Sequence, residues 1–482
     1  MSYTTNPAIP LDEIYGKIGF GLFHVTVLLI FGFVQFFYAV ETVLLSFLGP
    51  ILICDWKISL LEASFITMAL FVGMTLGSMV FGTLSDKYGR KVVVVTSACG
   101  IFYFSIFSAL SPTIFWIIMT RCFIGFFIGG FSTMVYTYMT EIMTIDQRGT
   151  SVICVQLFWS MGSYYISLLT VVIVPLYGWR FWLIISISPM LIVVLFSFRL
   201  LESPRYLMIK NRVNDAVKVV NKIAKMNNAD RVTKIKYTEY KQSSVKDMFH
   251  PNYISSTFIC MYICFVSGIS FYGFVFSSSV VNHIPHRCLQ DMKTILHPSK
   301  YTNHSTDSSC CPPVTWNTIK TVLISITGEL ISYLIGIVLI KYVRRKIYLQ
   351  ILFLINALVY LLMNFCLSPS NVGILMMFGR GSAGTILRVN LLYMSEVFPT
   401  NIRSFSIGLG NSFARTGAMF SSFMVNMLMI KYSYLAGTLL FCAINTAGFL
   451  LIFLLPFETK DRALPQSVED DISKLELLIK NQ

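Results

Sequence analysis

Twelve apolar runs stand along this chain of 482 residues, at about 19–53, 59–80, 92–111, 113–135, 150–173, 180–200, 254–281, 318–340, 347–367, 371–394, 405–430 and 434–456. They fall as six, a break, then six. A helix needs about 20 apolar residues to cross a bilayer, so each run is a candidate span. None can be an open sheet, because lipid leaves the N–H and C=O groups of a sheet edge without partners. The expected fold class is an all-α membrane protein with twelve transmembrane helices in two pseudo-symmetric six-helix bundles. Such helices use about 240 residues. What remains suffices for connections and modest loops, not for a separate catalytic domain. The chain is 12% charged, against about 25% in soluble domains, which excludes an ordinary soluble enzyme.

The formal charge of +14 marks cytoplasmic loops, where Lys and Arg concentrate, not a nucleic-acid partner. Residues 1–17 are polar and carry Asp12, Glu13 and Lys17. The first apolar run is too long for a signal peptide and lacks its basic flank, so it reads as a retained span, with both termini cytoplasmic. The expected domains are 1–200, a linker at 201–253, and 254–460 with a luminal loop at 282–316, followed by a tail at 461–482. From Arg199 to Asp247 the linker region holds twelve Lys/Arg and five Asp/Glu, a net of 12 − 5 = +7. Apolar spacing predicts a helix over Val213–Met226. Its basic face can meet anionic headgroups or simply be solvated.

The luminal loop carries the sequon Asn303-His304-Ser305 and the cysteines Cys288, Cys310 and Cys311. Cys54 falls on the same side. These four are disulfide candidates of open connectivity, and Asn303 is the glycosylation candidate. Cys99, Cys122, Cys154, Cys260 and Cys442 lie in apolar runs and read as packing residues. The six histidines are scattered. No metal site, cofactor, phosphate loop or nucleophile elbow is expected, and the chain is not read as an enzyme.

Internal repetition is the strongest signal. Charged landmarks recur at nearly one offset: Arg90 and Arg345 (345 − 90 = 255), Glu141 and Glu396 (396 − 141 = 255), Arg148 and Arg403 (403 − 148 = 255), Glu202 and Glu458 (458 − 202 = 256). Arg121 and Arg380 are 380 − 121 = 259 apart, and each opens R-x-x-x-G. The halves are parallel repeats.

The stretch Gly82-Thr83-Leu84-Ser85-Asp86-Lys87-Tyr88-Gly89-Arg90-Lys91 resembles the G-x-L-x-D-r-x-G-R-k loop motif of the major facilitator superfamily. Gly89 permits a tight turn, and Asp86 can pair with Arg90 on the cytoplasmic side. In the second half Lys341 stands where the acid would be and Arg344 where the glycine would be, so a matching latch is not read there. Glu202-Ser203-Pro204-Arg205-Tyr206, Tyr393-Met394-Ser395-Glu396-Val397-Phe398-Pro399-Thr400-Asn401-Ile402-Arg403 and Pro456-Phe457-Glu458-Thr459-Lys460 resemble elements of the organic ion transporter group. The short loop after the first span, with Cys54-Asp55-Trp56 and Tyr177-Gly178-Trp179-Arg180, is similar to the synaptic vesicle 2-related group. In that group the first span carries an Asp three residues before its Glu; here Glu41 holds the second position and Tyr38 the first. The resemblance implies the major facilitator fold, alternating access, and residence in an intracellular vesicle or the plasma membrane. It implies a gating set of Gly82, Asp86, Gly89, Arg90, Arg121, Glu141, Arg148, Glu396 and Arg403.

An ionisable residue in mid-span costs roughly 2.5–3.5 kcal/mol on insertion scales, so it needs a partner or a task. Glu41, Glu329, Arg388 and Arg415 qualify. Burial favours the neutral form of a carboxyl, which suits a proton carrier, and Glu41 is the leading coupling candidate. Arg388 and Arg415 offer a fork for a carboxylate, phosphate or sulfonate, unless each pairs with Glu41 or Glu329. Tyr272 and Tyr393 join the candidate lining because the resemblance puts their spans along the cavity. The function expected is secondary or facilitative transport of a small organic ion, anion or zwitterion favoured, with H+ as a candidate second solute, by a monomer in the lipid bilayer. The alternative is a non-transporting vesicle membrane receptor on the same scaffold. An organic-cation uniporter fits less well, because two cavity arginines repel cations.

Overall fold

The computed structural model describes residues 11–144, 147–230, 248, 251–281, 316–365, 367–398, 400–455 and 458. A short helix α1 (Leu11–Ile18) precedes α2 (Leu22–Val43) and α3 (Leu45–Trp56), which together make the first span. Then come α4 (Leu60–Tyr88), α5 (Arg90–Ala109), α6 (Ile114–Ile142) and α7 (Arg148–Ile187), with α8 (Met190–Ser197) closing the first half. The linker contributes α9 (Pro204–Ile209) and α10 (Val213–Met226), the latter over the residues its apolar spacing predicts. The second half holds α11 (Pro251–Val280), α12 (Trp316–Tyr342), α13 (Arg345–Leu362), α14 (Pro369–Val397), α15 (Thr400–Phe423) continued by a π-helix at Met424–Tyr432, and α16 (Tyr434–Phe453).

Among the described residues nine stretches are long and apolar enough to cross a membrane. One of them, Cys154–Ser197, runs 44 residues and holds two crossings. Gly178 parts them: its φ of +76° lies where a side chain would be strained. With α14 and α15 the crossings number twelve. Helix starts are capped as the sequence allows. Ser59 and Glu62 form a reciprocal capping box, Ser59 N–H donating to Glu62 Oε2 at 2.7 Å and Glu62 N–H to Ser59 Oγ at 3.2 Å. Ser203, Ser368 and Ser433 cap α9, α14 and α16, the first two followed by Pro at the start of the helix.

The chain divides into two compact units, one of Met1–Glu41, Val72–Ser163 and Leu183–Lys241, the other of Thr42–Phe71, Tyr164–Trp182 and Gln242–Gln482. In the first, α5 packs on α6. In the second, α12 packs on α14, α11 on α15, and α13 on both α14 and α16. Its core includes Tyr253, Ile263, Leu349, Phe353, Val389 and Met394.

Small residues carry the helix crossings, because in lipid there is little hydrophobic gain in association and close backbone approach supplies the attraction. A Cβ on Gly73 would run into the Cys122 carbonyl oxygen, and one on Gly328 into that of Met377. These pairs repeat at 328 − 73 = 255 and 377 − 122 = 255. Likewise a Cβ on Gly162 would meet the Phe36 carbonyl and one on Gly417 that of Phe265, with 417 − 162 = 255. The Gly73–Cys122 and Gly328–Met377 contacts thus share the offset read from charged landmarks, whereas the partners of Gly162 and Gly417 stand 265 − 36 = 229 apart.

Candidate functional site

Two buried ion pairs cross helices within the membrane. Arg121 of α6 donates through Nη1 to Glu41 Oε2 of α2 at 2.6 Å, and both side chains are buried. Arg380 of α14 donates through Nε to Glu329 of α12, both fully buried. Arg380 also reaches Ser325 Oγ at 3.4 Å, and its guanidinium lies 5.8 Å from the centre of the Phe271 ring. A charge in lipid is tolerated when it is paired in this way. The second pair stands on a ladder: Glu329 and Tyr333 are four apart on α12, Arg380 and Arg388 eight apart on α14, so successive turns face one another. Tyr333 is hydrogen-bonded to Arg388, with Glu329 and Arg380 in electrostatic range. Gly384, between the two arginines, leaves room for the Tyr333 hydroxyl, which would be 3.1 Å from a Cβ there.

The sequence offers Arg388 and Arg415 as the internal partners of Glu41 and Glu329. The structure places Glu41 on Arg121 and Glu329 on Arg380. Those two arginines carry a signal, the R-x-x-x-G repeat, but the resemblance assigns Arg121 to gating. Arg388 is half-buried and Arg415 buried. Tyr272 stacks edge-on with Phe71 at 4.7 Å. Tyr393 is wholly buried in the core of its unit. Tyr164, on α7, shares a 2.7 Å hydrogen bond with Thr327 Oγ1.

At the helix ends Asp86, Gly89, Arg90 and Glu141 of the expected gating set form a second constellation. Gly89, with φ +108°, turns the chain between α4 and α5. Arg90 then reaches Glu141 Oε1 at 3.2 Å, Asp86 Oδ1 at 3.2 Å and the Ser85 carbonyl at 2.9 Å. Its own N–H donates to Glu202 Oε1 at 2.8 Å, and its guanidinium lies 4.9 Å from the Tyr206 ring centre. The carboxylate of Glu202 thus sits on the N-terminus of α5, where the helix dipole favours a negative charge. The second half repeats this in spite of its altered motif. Arg345 meets Glu396 Oε1 at 3.1 Å, and its N–H donates to Glu458 Oε1 at 2.9 Å. In both halves the contacts join one arginine to two glutamates. Asp86 is 75% exposed and Glu141 13%. Exposed pairs contribute about 0–1 kcal/mol, so Asp86→Asn should barely move the melting temperature, whereas Glu141→Gln should lower it measurably in a thermal melt.

Gly82 has open space around a Cβ. The side chains of Arg148 and Arg403, and Asn303, Cys288, Cys310 and Cys311, lie outside the described residues. Cys54 is disulfide-bonded, while Cys99, Cys122, Cys154, Cys260, Cys264 and Cys442 are free thiols. Among the described residues no group of three His, Cys, Asp or Glu could hold a metal ion.

Two repeated sets of membrane helices, with paired charges in the spans and arginine–glutamate contacts at the helix ends, define a multi-pass membrane protein. The family described as sugar (and other) transporter matches residues 57–284. The protein SVOPL of Danio rerio is 31% identical over 468 residues, covering 95% of this chain and 90% of that one. The synaptic vesicle 2-related protein of Xenopus laevis is 26% identical, covering 96% and 83%. The inward-open xylose transporter XylE from E. coli superposes with a TM-score of 0.65 at 17% identity, covering 94% of this chain and 99% of that one. The chain belongs to the major facilitator superfamily, in the family of SVOPL. A further relative, 26% identical over 502 residues, is named organic cation/carnitine transporter 7 of Arabidopsis thaliana.

Proposed function

We propose that this protein is a secondary transporter of a small organic anion or zwitterion, working as a monomer by alternating access, with proton coupling at Glu41. One observation carries the choice of charge. The mid-span acids Glu41 and Glu329 are each committed to Arg121 and Arg380. Within the second unit the mid-span side chains Glu329, Arg380, Arg388 and Arg415 sum to +3 − 1 = +2. A site with surplus positive charge attracts anions and repels cations. The hydrogen bond between Tyr333 and Arg388 pre-orients a guanidinium, whose planar fork matches a carboxylate. Protonation of Glu41 would remove the counter-charge of Arg121, which gives the pair two electrostatic states that a proton gradient can bias.

The disulfide at Cys54 supports the orientation, since disulfides persist on the oxidising side. Cys54 precedes α4 and Asp86 ends it, so the latch and both termini are assigned to the cytoplasm. An intracellular vesicle or the plasma membrane is the assigned location, the former supported by the relative's name.

The test is uptake into proteoliposomes of radiolabelled organic anions, zwitterions and cations, with and without a pH gradient. Anion uptake is expected, and Arg388→Gln should lower it at least about tenfold, as loss of a charged hydrogen bond is worth about 1.5–3 kcal/mol. Glu41→Gln should abolish the response to the gradient. Cation uptake untouched by either substitution would refute the assignment, and saturable binding without uptake would favour a receptor.

A further inference from the structure

Asn227 follows the last turn of α10, yet its side chain serves the start of α2, 204 positions earlier. The Phe23 N–H donates to Asn227 Oδ1 at 3.0 Å. The amide nitrogen donates to the Gly19 carbonyl at 3.1 Å and lies 3.1 Å from His24 Nδ1. This arrangement fixes the amide, because turning it over would set oxygen against the Gly19 carbonyl and nitrogen against the Phe23 N–H. The Gly21 N–H also points at His24 Nδ1, at 3.4 Å. Two donors converge on that nitrogen, so it carries no proton and the imidazole is neutral.

The chain is shaped around this contact. Gly19 has φ +66°, and a Cβ on Gly21 would lie 2.5 Å from Asn227 Cγ. Asn228 turns with φ 56° at the end of α10. His24 is fully buried, stacked on Phe20 and edge-on to Phe23, both at 5.4 Å. The carbonyl of Ile142, at the end of α6, lies beside the ring. Of the ionisable groups on the adjoining helices, Lys17 of α1 pairs with Glu13 at 3.0 Å, Glu141 of α6 pairs with Arg90, and Lys225 of α10 is exposed. Among the described residues no acid is bonded to the ring to hold it charged.

We infer that Asn227 is a positioning residue: from the linker it caps the membrane helix that carries Glu41, and a neutral His24 strengthens its hold. A proton on Nδ1 would face two donors and no acceptor, so both bonds to the ring are lost and the amide is held only by Phe23 and Gly19. The link to transport rests on the function proposed above; the clasp itself does not.

Hydrogen–deuterium exchange on the full-length protein in phosphatidylcholine nanodiscs tests it without any solute, at about pH 7.5 and about pH 5.5, either side of the histidine range. With intrinsic rates corrected, segments spanning Leu22–Val25 and Val213–Asn228 should lose about tenfold in protection at the lower pH. His24→Phe should remove that dependence. Asn227→Asp should reverse its sign, since a carboxylate accepts from a protonated His24 and still accepts from Phe23 N–H. Equal protection of the parent at both pH values overturns the inference, as does a pH dependence that survives in His24→Phe. If Asn227→Asp does not fold, His24→Phe decides alone. A negative result here leaves the transport reading standing, and failed uptake leaves the clasp standing.

Discussion

Arg121→Met alone should melt roughly 10 °C or more below the parent, while the double replacement Glu41→Leu with Arg121→Met should melt close to it. The single change leaves the Glu41 carboxylate buried at 2% exposure with its 2.6 Å partner removed. Stranding one charge of a buried pair costs about 3–5 kcal/mol, whereas replacing both by apolar side chains of similar volume is often neutral or stabilising. For a unit of about 150–250 residues, the size of the one that holds this pair, about 1 kcal/mol moves the midpoint by about 2–4 °C. Thermal melts in detergent check the order of the three proteins. If the double variant is as unstable as the single one, the pair is not the electrostatic unit described. If it is stable and takes up solute without responding to a pH gradient, structure and coupling have been separated at one site.

Gly417→Leu and Gly162→Leu should each cost at least about 3 kcal/mol, and Gly408→Ala should cost nothing. Overpacking usually costs about 1–3 kcal/mol when neighbouring side chains can shift. At Gly417 and Gly162 the obstacle is a backbone carbonyl, of Phe265 and Phe36 respectively, so the two helices must part along their length. Gly408 meets nothing within 4 Å, and alanine there gains about 0.5–1 kcal/mol of helix propensity. Guanidinium or thermal denaturation of the purified variants reads the difference. Tolerance of leucine at both tight crossings would mean that the repeated backbone contact is not what holds each unit together.

Much of the latch is legible in the amino-acid order alone. Arg90 with Glu141, and Arg345 with Glu396, stand at equal offsets because each half must close a helix end with the same chemistry. The altered second motif misleads, because Lys341 and Arg344 draw attention away from Glu396 and Glu458, which make the contacts. The membrane pairs are legible as charges in need of partners, but not as particular pairs. Glu41 and Arg121 lie 80 positions apart, and no spacing rule joins residues on different helices.

The sequence by itself determined the number of spans, their duplication and the charged residues that lipid would not tolerate alone, because length, hydropathy and repeat offset are properties of the chain. Only the tertiary structure decided which arginine meets which glutamate. In a soluble helix the polar face marks the outside and so the rotation of the helix. Here large apolar residues such as Leu76, Phe115, Leu334 and Phe378 are exposed while Phe31, Leu70 and Val389 are buried. Both faces read alike, so the rotation that brings Arg121 to Glu41 is set by packing at the glycine crossings and not by the apolar pattern.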